Sequence, residues 1–175
     1  MAGKRDPVRS CVPMRLPSFV AALVTVAAAA AGPALAGGPD GLAPAFVVRT
    51  LDGRTFRLQT QRGNPVILDF WATWCAPCRK SLPHLARLQE RHAGDGLVVL
   101  GLSVDDDDPS AVKRFGEKMG LKLRLAMADE KLLDLYGPIR LLPTTFFINR
   151  RGEVVRRTVG YLDEDTLEEY VRELY

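Results

Sequence analysis

Cys75 and Cys78 are separated by two residues in the run Trp74-Cys75-Ala76-Pro77-Cys78. That spacing admits three chemistries: a structural disulfide, a metal site, or a dithiol that exchanges with other disulfides. A bridge across four residues closes so small a loop that it removes little entropy from the unfolded chain. A zinc site needs about four ligands; the chain has His84 and His92, and no second Cys-x-x-Cys. Redox exchange is the reading that remains. A thiol attacks as its thiolate, and a helix N-terminus supplies the positive potential that stabilises one. Cys75 falls where an apolar run ends and a helical pattern begins, with Pro77 in the first turn, where its missing N–H costs nothing. Leu82 and Leu85 follow Cys78 by four and seven residues, which puts Cys78 on the buried helix face. The expectation is an exposed, attacking Cys75 and a sheltered Cys78 that resolves the mixed disulfide.

The elements around the pair follow from pattern. Residues 45–50 and 54–58, with Asp52-Gly53 between them, read as a β-hairpin. Residues 65–71 and 97–104 are almost unbroken apolar runs, the pattern of central strands covered on both faces. Helices are predicted over 76–92, over 109–119 with Pro109 in its first turn, and over 130–136 before Gly137-Pro138. Strands at 144–149 and 153–159 flank a turn at Arg150-Arg151-Gly152. A last helix starts at an Asp163 cap and carries Leu167, Tyr170, Val171 and Leu174 on one face. The sum is an α/β fold: a mixed central sheet with helices on both faces and an N-terminal hairpin extension.

The 175 residues suit one domain with a core. Lys4, Arg5, Arg9 and Arg15 against Asp6 carry the whole net charge of +3, so the remainder is neutral and holds no basic stripe for nucleic acid. Residues 1–36 read as an export signal: a basic start, an uncharged stretch from Phe19 to Ala36, and Ala34-Leu35-Ala36 as a small-x-small cleavage pattern. The competing reading is membrane anchoring through residues 19–36, barely long enough to span. In both, residues 37–43 form a Gly/Pro linker and 44–175 the domain, placed in the periplasm or another extracytoplasmic space. Cys11 lies in the leader, with no small-residue lipobox before it.

The run from Val66 to Cys78, Val-Ile-Leu-Asp-Phe-Trp-Ala-Thr-Trp-Cys-Ala-Pro-Cys, resembles the active-site strand and helix of thioredoxins. From about Pro44 to the C-terminus the chain is similar to the TlpA/ResA-like exported thiol–disulfide oxidoreductases, through the hairpin, the insertion between the middle strands, and the run Leu142 to Gly152. The resemblance implies the thioredoxin fold and a cis peptide at Leu142–Pro143 facing the dithiol. It also implies reduction of specific disulfides, commonly in cytochrome c or copper-oxidase assembly, with an upstream membrane thiol donor. No cofactor is expected beyond the redox-active disulfide Cys75–Cys78. Trp74, Pro77, Leu142 and Pro143 are the expected substrate contacts, Trp74 either as a contact surface or as packing. The branch often carries a glutamate three residues after the second cysteine; here that position is Ser81.

Asp69 matches the buried acid of thioredoxin. An acid in a covered strand is costly unless paired or protonated, and a raised pKa would suit a base that deprotonates Cys78; the plainer role is a structural acid bonded to a lysine or the backbone. Residues Asp105–Asp108 lack the spacing and glycine of a calcium loop and are expected to serve the next helix N-terminus. His84 is expected to be solvated, Trp71 to lie in the core, and Pro83 to distort its helix locally. Two alternatives stay open: a dithiol oxidant or isomerase, and a copper-binding assembly factor using both thiolates. Ala76-Pro77 offers no cation between the cysteines to stabilise the dithiol further, which favours reduction. Nothing resembles a Pro/Thr/Cys peroxidatic loop.

Overall fold

The computed structural model describes residues 41–106 and 108–175, so the leader, Cys11 and most of the linker lie outside the described residues. The central sheet has the order β5-β4-β3-β6-β7. Its middle is β3 (Val66–Trp71) and β4 (Val98–Ser103), parallel and buried at every residue, as their unbroken apolar sequences require. Strand β5 (Arg124–Met127) adds a parallel edge; β6 (Thr144–Ile148) and β7 (Val154–Val159) run antiparallel on the other side. This is the mixed sheet of a thioredoxin-like fold. Four-residue β5, opening on an exposed arginine, is a strand that the sequence pattern does not announce.

The two sheet faces carry different layers. Ile67, Val99 and Phe147 pack against Leu85 and Leu88 of α1 (Ala76–Arg91) and Leu167 and Val171 of α4 (Glu164–Arg172). On the same face Trp71 and Leu125 meet Leu82 of α1 and Val112 of α2 (Pro109–Lys118). The opposite face, with Leu68, Phe70, Leu100 and Phe146, is closed by Phe46 just before the hairpin, by Phe56 within it, and by Leu132 and Tyr136 at α3 (Glu130–Leu135). The hairpin, β1 (Val47–Arg49) with β2 (Thr55–Arg57), turns at Gly53, whose φ of +86° suits a residue without Cβ. Its tip reaches the open edge of β5, where the Leu51 N–H donates to Leu125 O at 2.7 Å, so that edge is covered rather than left to pair with another chain.

Candidate active site

Strand β3 ends at Trp71, and the chain turns through Ala72-Thr73-Trp74 into α1. The Cys75 N–H closes the turn on Ala72 O at 3.2 Å. Cys75 is the N-cap of α1, and its sulfur accepts the Cys78 N–H at 3.2 Å. The same sulfur is bonded to Cys78 in a disulfide, with Cα atoms 5.3 Å apart. A side chain that accepts a first-turn N–H lies where the helix potential is most positive, the setting that favours a thiolate. Pro77 occupies the first turn and is exposed. One expectation needs correcting: Cys75 is not an exposed sulfur. It is 5% exposed and Cys78 0%, because the bridged pair packs with Trp71, Ala72 and Leu82. The asymmetry between the two keeps its expected direction, but it is small.

Asp69 sits in mid-β3 on the face that α1 covers, between Ile67 and Trp71. It is fully buried, and among the described residues its carboxylate has one hydrogen bond, from Thr145 Oγ1 to Oδ1 at 2.7 Å. Oδ2 has no partner among the described residues; neither has the nearby Trp71 Nε1 on the same face of β3. Desolvation pushes the Asp69 pKa up to about 7 against the opposing Thr145 bond. Its partner is therefore a hydroxyl, not the lysine or backbone group that a structural acid would have used.

Around the pair, the Leu142–Pro143 peptide is cis, Pro143 is buried, and Leu142 packs on the cluster that contains both cysteines. Pro143 O accepts the Gly160 N–H at 2.8 Å, which draws the 159–161 segment to the same end of the sheet. Trp74 is 67% exposed and Leu141 66%, with Val159 and Tyr161 also open to solvent. Ser81 is buried, and its hydroxyl donates to Pro77 O at 3.2 Å inside α1. Trp71 is in the core. Pro83 lies within α1. Among the described residues no group of three His, Cys, Asp or Glu side chains is placed to hold a metal ion.

Two more expectations are corrected. His84 is half-buried rather than solvated: its Nδ1 lies 3.2 Å from Glu164 Oε2 and its Nε2 3.2 Å from the Tyr161 hydroxyl, because α4 crosses α1 there. Within the aspartate run, Asp108 does cap α2, accepting the Ser110 N–H at 3.1 Å. Asp105 does not serve that helix. It is 6% exposed and turns inward to the loop before Cys75. Sequence reasoning missed it because four consecutive aspartates carry no sign of which one turns in.

Residues 39–157 match the AhpC/TSA family. The chain is 36% identical over 133 residues to the thiol-disulfide oxidoreductase ResA of Bacillus anthracis, covering 75% of this chain and 76% of that protein. ResA of Halalkalibacterium halodurans is 34% identical over 128 residues, 72% of this chain and 71% of the relative. Among solved structures, a thiol:disulfide interchange protein of the thioredoxin family from Chlorobium tepidum superposes with a TM-score of 0.71 at 29% identity, over 76% of this chain and 94% of the other. The pneumococcal exposed lipoprotein thioredoxin Etrx1 from Streptococcus pneumoniae gives 0.67 at 31% identity, over 74% and 99%.

Proposed function

The chain belongs to the AhpC/TSA family as a ResA-like thiol–disulfide oxidoreductase, and from that premise we propose that it reduces disulfides in specific exported partner proteins. The observation that carries the reading is the Cys75 sulfur held at the N-cap of α1 on the Cys78 N–H. In the reduced protein that position favours the Cys75 thiolate, which attacks a partner disulfide, forms a mixed disulfide and expels one partner thiolate. Cys78 then gives up its proton to Asp69 and attacks the Cys75 sulfur, which releases the reduced partner and closes the Cys75–Cys78 bridge. The dithiol itself carries the two electrons, so the reaction needs no further cofactor.

Trp74, Pro77, Leu142 and Pro143 form the partner-binding rim in this reading. Exposed Trp74, next to Cys75 in the chain, and exposed Leu141, next to Leu142, offer apolar surface suited to an extended segment carrying the target disulfide. Residues 1–36 export the domain, and a membrane thiol donor regenerates the dithiol. Cytochrome c or copper-oxidase assembly supplies the class of partner.

Three measurements test the proposal. A Cys78→Ala chain should accumulate mixed disulfides through Cys75, and alkylation of the reduced wild type near neutral pH should label Cys75 first. Preferential labelling of Cys78 would reverse the roles. Equilibration with glutathione should place the couple nearer the reducing end of the superfamily, about −270 mV, than the oxidising end, about −120 mV. A value near the oxidising end would turn the protein into a dithiol oxidant.

A further inference from the structure

Asp105 lies two residues beyond the end of β4, and its carboxylate is aimed across the sheet end at the turn that delivers Cys75. Oδ1 accepts the Thr73 hydroxyl at 2.6 Å, and both oxygens face the Thr73 N–H, at 3.2 and 3.0 Å. Oδ2 also accepts the Ser103 hydroxyl at 2.7 Å, while the Asp105 N–H donates to Ser103 Oγ at 3.1 Å. The side chain is thus a buried carboxylate held by neutral donors. In the Ala72–Cys75 turn the first central residue is Thr73, whose N–H a turn leaves free; Asp105 takes it. The neighbouring bond from Val104 N–H to Trp71 O, at 2.9 Å, ends the β3–β4 ladder at the same point. Beyond that ladder Asp105 ties Thr73, two residues before Cys75, to Ser103 at the end of β4.

We propose that Asp105 is a positioning residue for thiol–disulfide exchange: through Thr73 it holds the Ala72–Cys75 turn so that the Cys75 sulfur stays on the first-turn N–H of α1. A buried carboxylate is tolerated only when its lone pairs are answered, and here the answering groups belong to the loop that must not drift. Misplacement of a reacting group by about 1 Å is enough to cost as much as a hundredfold in rate. The inference rests on Cys75 being the attacking sulfur.

The test is alkylation of Cys75 in the reduced full chain across pH, with the labelled cysteine identified by peptide mass mapping. Asp105→Asn should raise the pH midpoint of Cys75 alkylation by about one unit and slow the reaction near neutral pH about tenfold. The direction is diagnostic. If Asp105 acted only through its charge, removing a negative group would stabilise the thiolate and lower the midpoint. Thr73→Val, which keeps the charge and removes one donor, should move the midpoint the same way by a smaller amount. Thr73→Ser, which keeps both donors, should match the wild type. An unmoved or lowered midpoint in Asp105→Asn, or wild-type behaviour of Thr73→Val, overturns the inference; if Asp105→Asn does not fold, the two Thr73 variants decide alone. Preferential labelling of Cys78 in the wild type would instead overturn the assignment of the attacker, and this inference with it.

Discussion

Asp69 and Asp105 are both acids taken out of water near the dithiol, and they differ in what answers their charge. Asp69 has one donor, the Thr145 hydroxyl, and one oxygen left without a partner among the described residues. Asp105 has the Thr73 N–H and the hydroxyls of Thr73 and Ser103 shared over both oxygens. Burial is nearly the same for the two, 0% and 6% exposed. The free energy of a buried polar group depends on its partners more than on its depth. An acid left short of donors keeps its proton to an unusual pH and is able to exchange it near neutrality. An acid fully supplied with donors from a loop serves as a tether. The acid in mid-β3 thus holds its proton toward neutral pH, and the acid past the end of β4 is held by the loop before Cys75.

The largest expected effect lies with Asp69 and is thermodynamic. Its folded pKa of about 7 stands above the ordinary value of 3.8. Below the lower value both folded and unfolded chains hold the proton, and folding loses nothing. As pH rises toward 7 the unfolded chain releases its proton while the folded chain keeps it, so stability falls through this window and levels off above it. Asp69→Asn removes the loss. It should be more stable than the wild type at pH 8, by up to about 4 kcal/mol, with the difference vanishing near pH 4. Urea unfolding at pH 4, 6 and 8 measures it. A constant difference across pH would mean that the charge of Asp69 is answered after all, and the contrast with Asp105 would collapse.

Next in size is a rate. If Asp69 accepts the Cys78 proton, Asp69→Asn should slow resolution of the mixed disulfide about a hundredfold and change the first attack by Cys75 far less. Stopped-flow mixing of the reduced protein with a slowly turned-over protein disulfide separates the two phases. An unchanged second phase would leave Asp69 as a structural acid only.

Much of this arrangement is legible in the residues. The apolar runs of β3 and β4, the Cys75 cap with Pro77 behind it, and the lone acid inside β3 all follow from short-range pattern, because burial on both faces and helix starts leave local marks. What is not legible depends on partners distant in sequence. Strand β5 is too short and too polar at its start to announce itself, and it exists because β4 and the hairpin tip hold it. Asp105 looks like its neighbours in the aspartate run until the end of β4 is placed beside the Thr73 turn. His84 reads as solvated until α4 crosses α1. The 5% exposure of Cys75 depends on the packing of residues that pattern cannot bring together.

A third prediction sharpens the contrast from the empty side of the site. Gly101 lies opposite Asp69 in the β3–β4 register. A Cβ there would come within 2.7 Å of Leu125 Cδ2 and 3.1 Å of Trp71 Nε1. Gly101→Ala should therefore destabilise the fold by about 1–3 kcal/mol through overpacking and alter the fluorescence of Trp71, read in a Trp74→Phe background. A neutral outcome would show that Leu125 yields easily and that the floor beside Asp69 is looser than its contacts imply.

The smallest effect concerns an acid that has partners but keeps its water. Glu164 receives Arg87 at 2.9 Å, lies 3.2 Å from His84 and also pairs with Arg91, and its side chain remains 35% exposed. Hydrogen bonds, from Arg87 first and then from His84 and Arg91, hold its pKa down to about 2 against an ordinary 4.5. The sign is opposite to that of Asp69: the stabilisation is present above about pH 4.5 and is lost as pH falls toward 2. Solvent and salt compete for all of these charges, so the consequence for folding is small. Glu164→Gln should lower Tm at pH 7 by no more than about 3 °C. The gap should narrow in 1 M salt and close as pH approaches 2, where wild-type Glu164 also becomes neutral. The pH midpoint of Cys75 alkylation should not move, because this network ties α1 to α4 along their flanks and leaves the turn before Cys75 in the hold of Asp105. A large, salt-insensitive fall in Tm would place Glu164 with the buried acids, and exposure would then be a poor guide to which carboxylates of this chain matter to its stability.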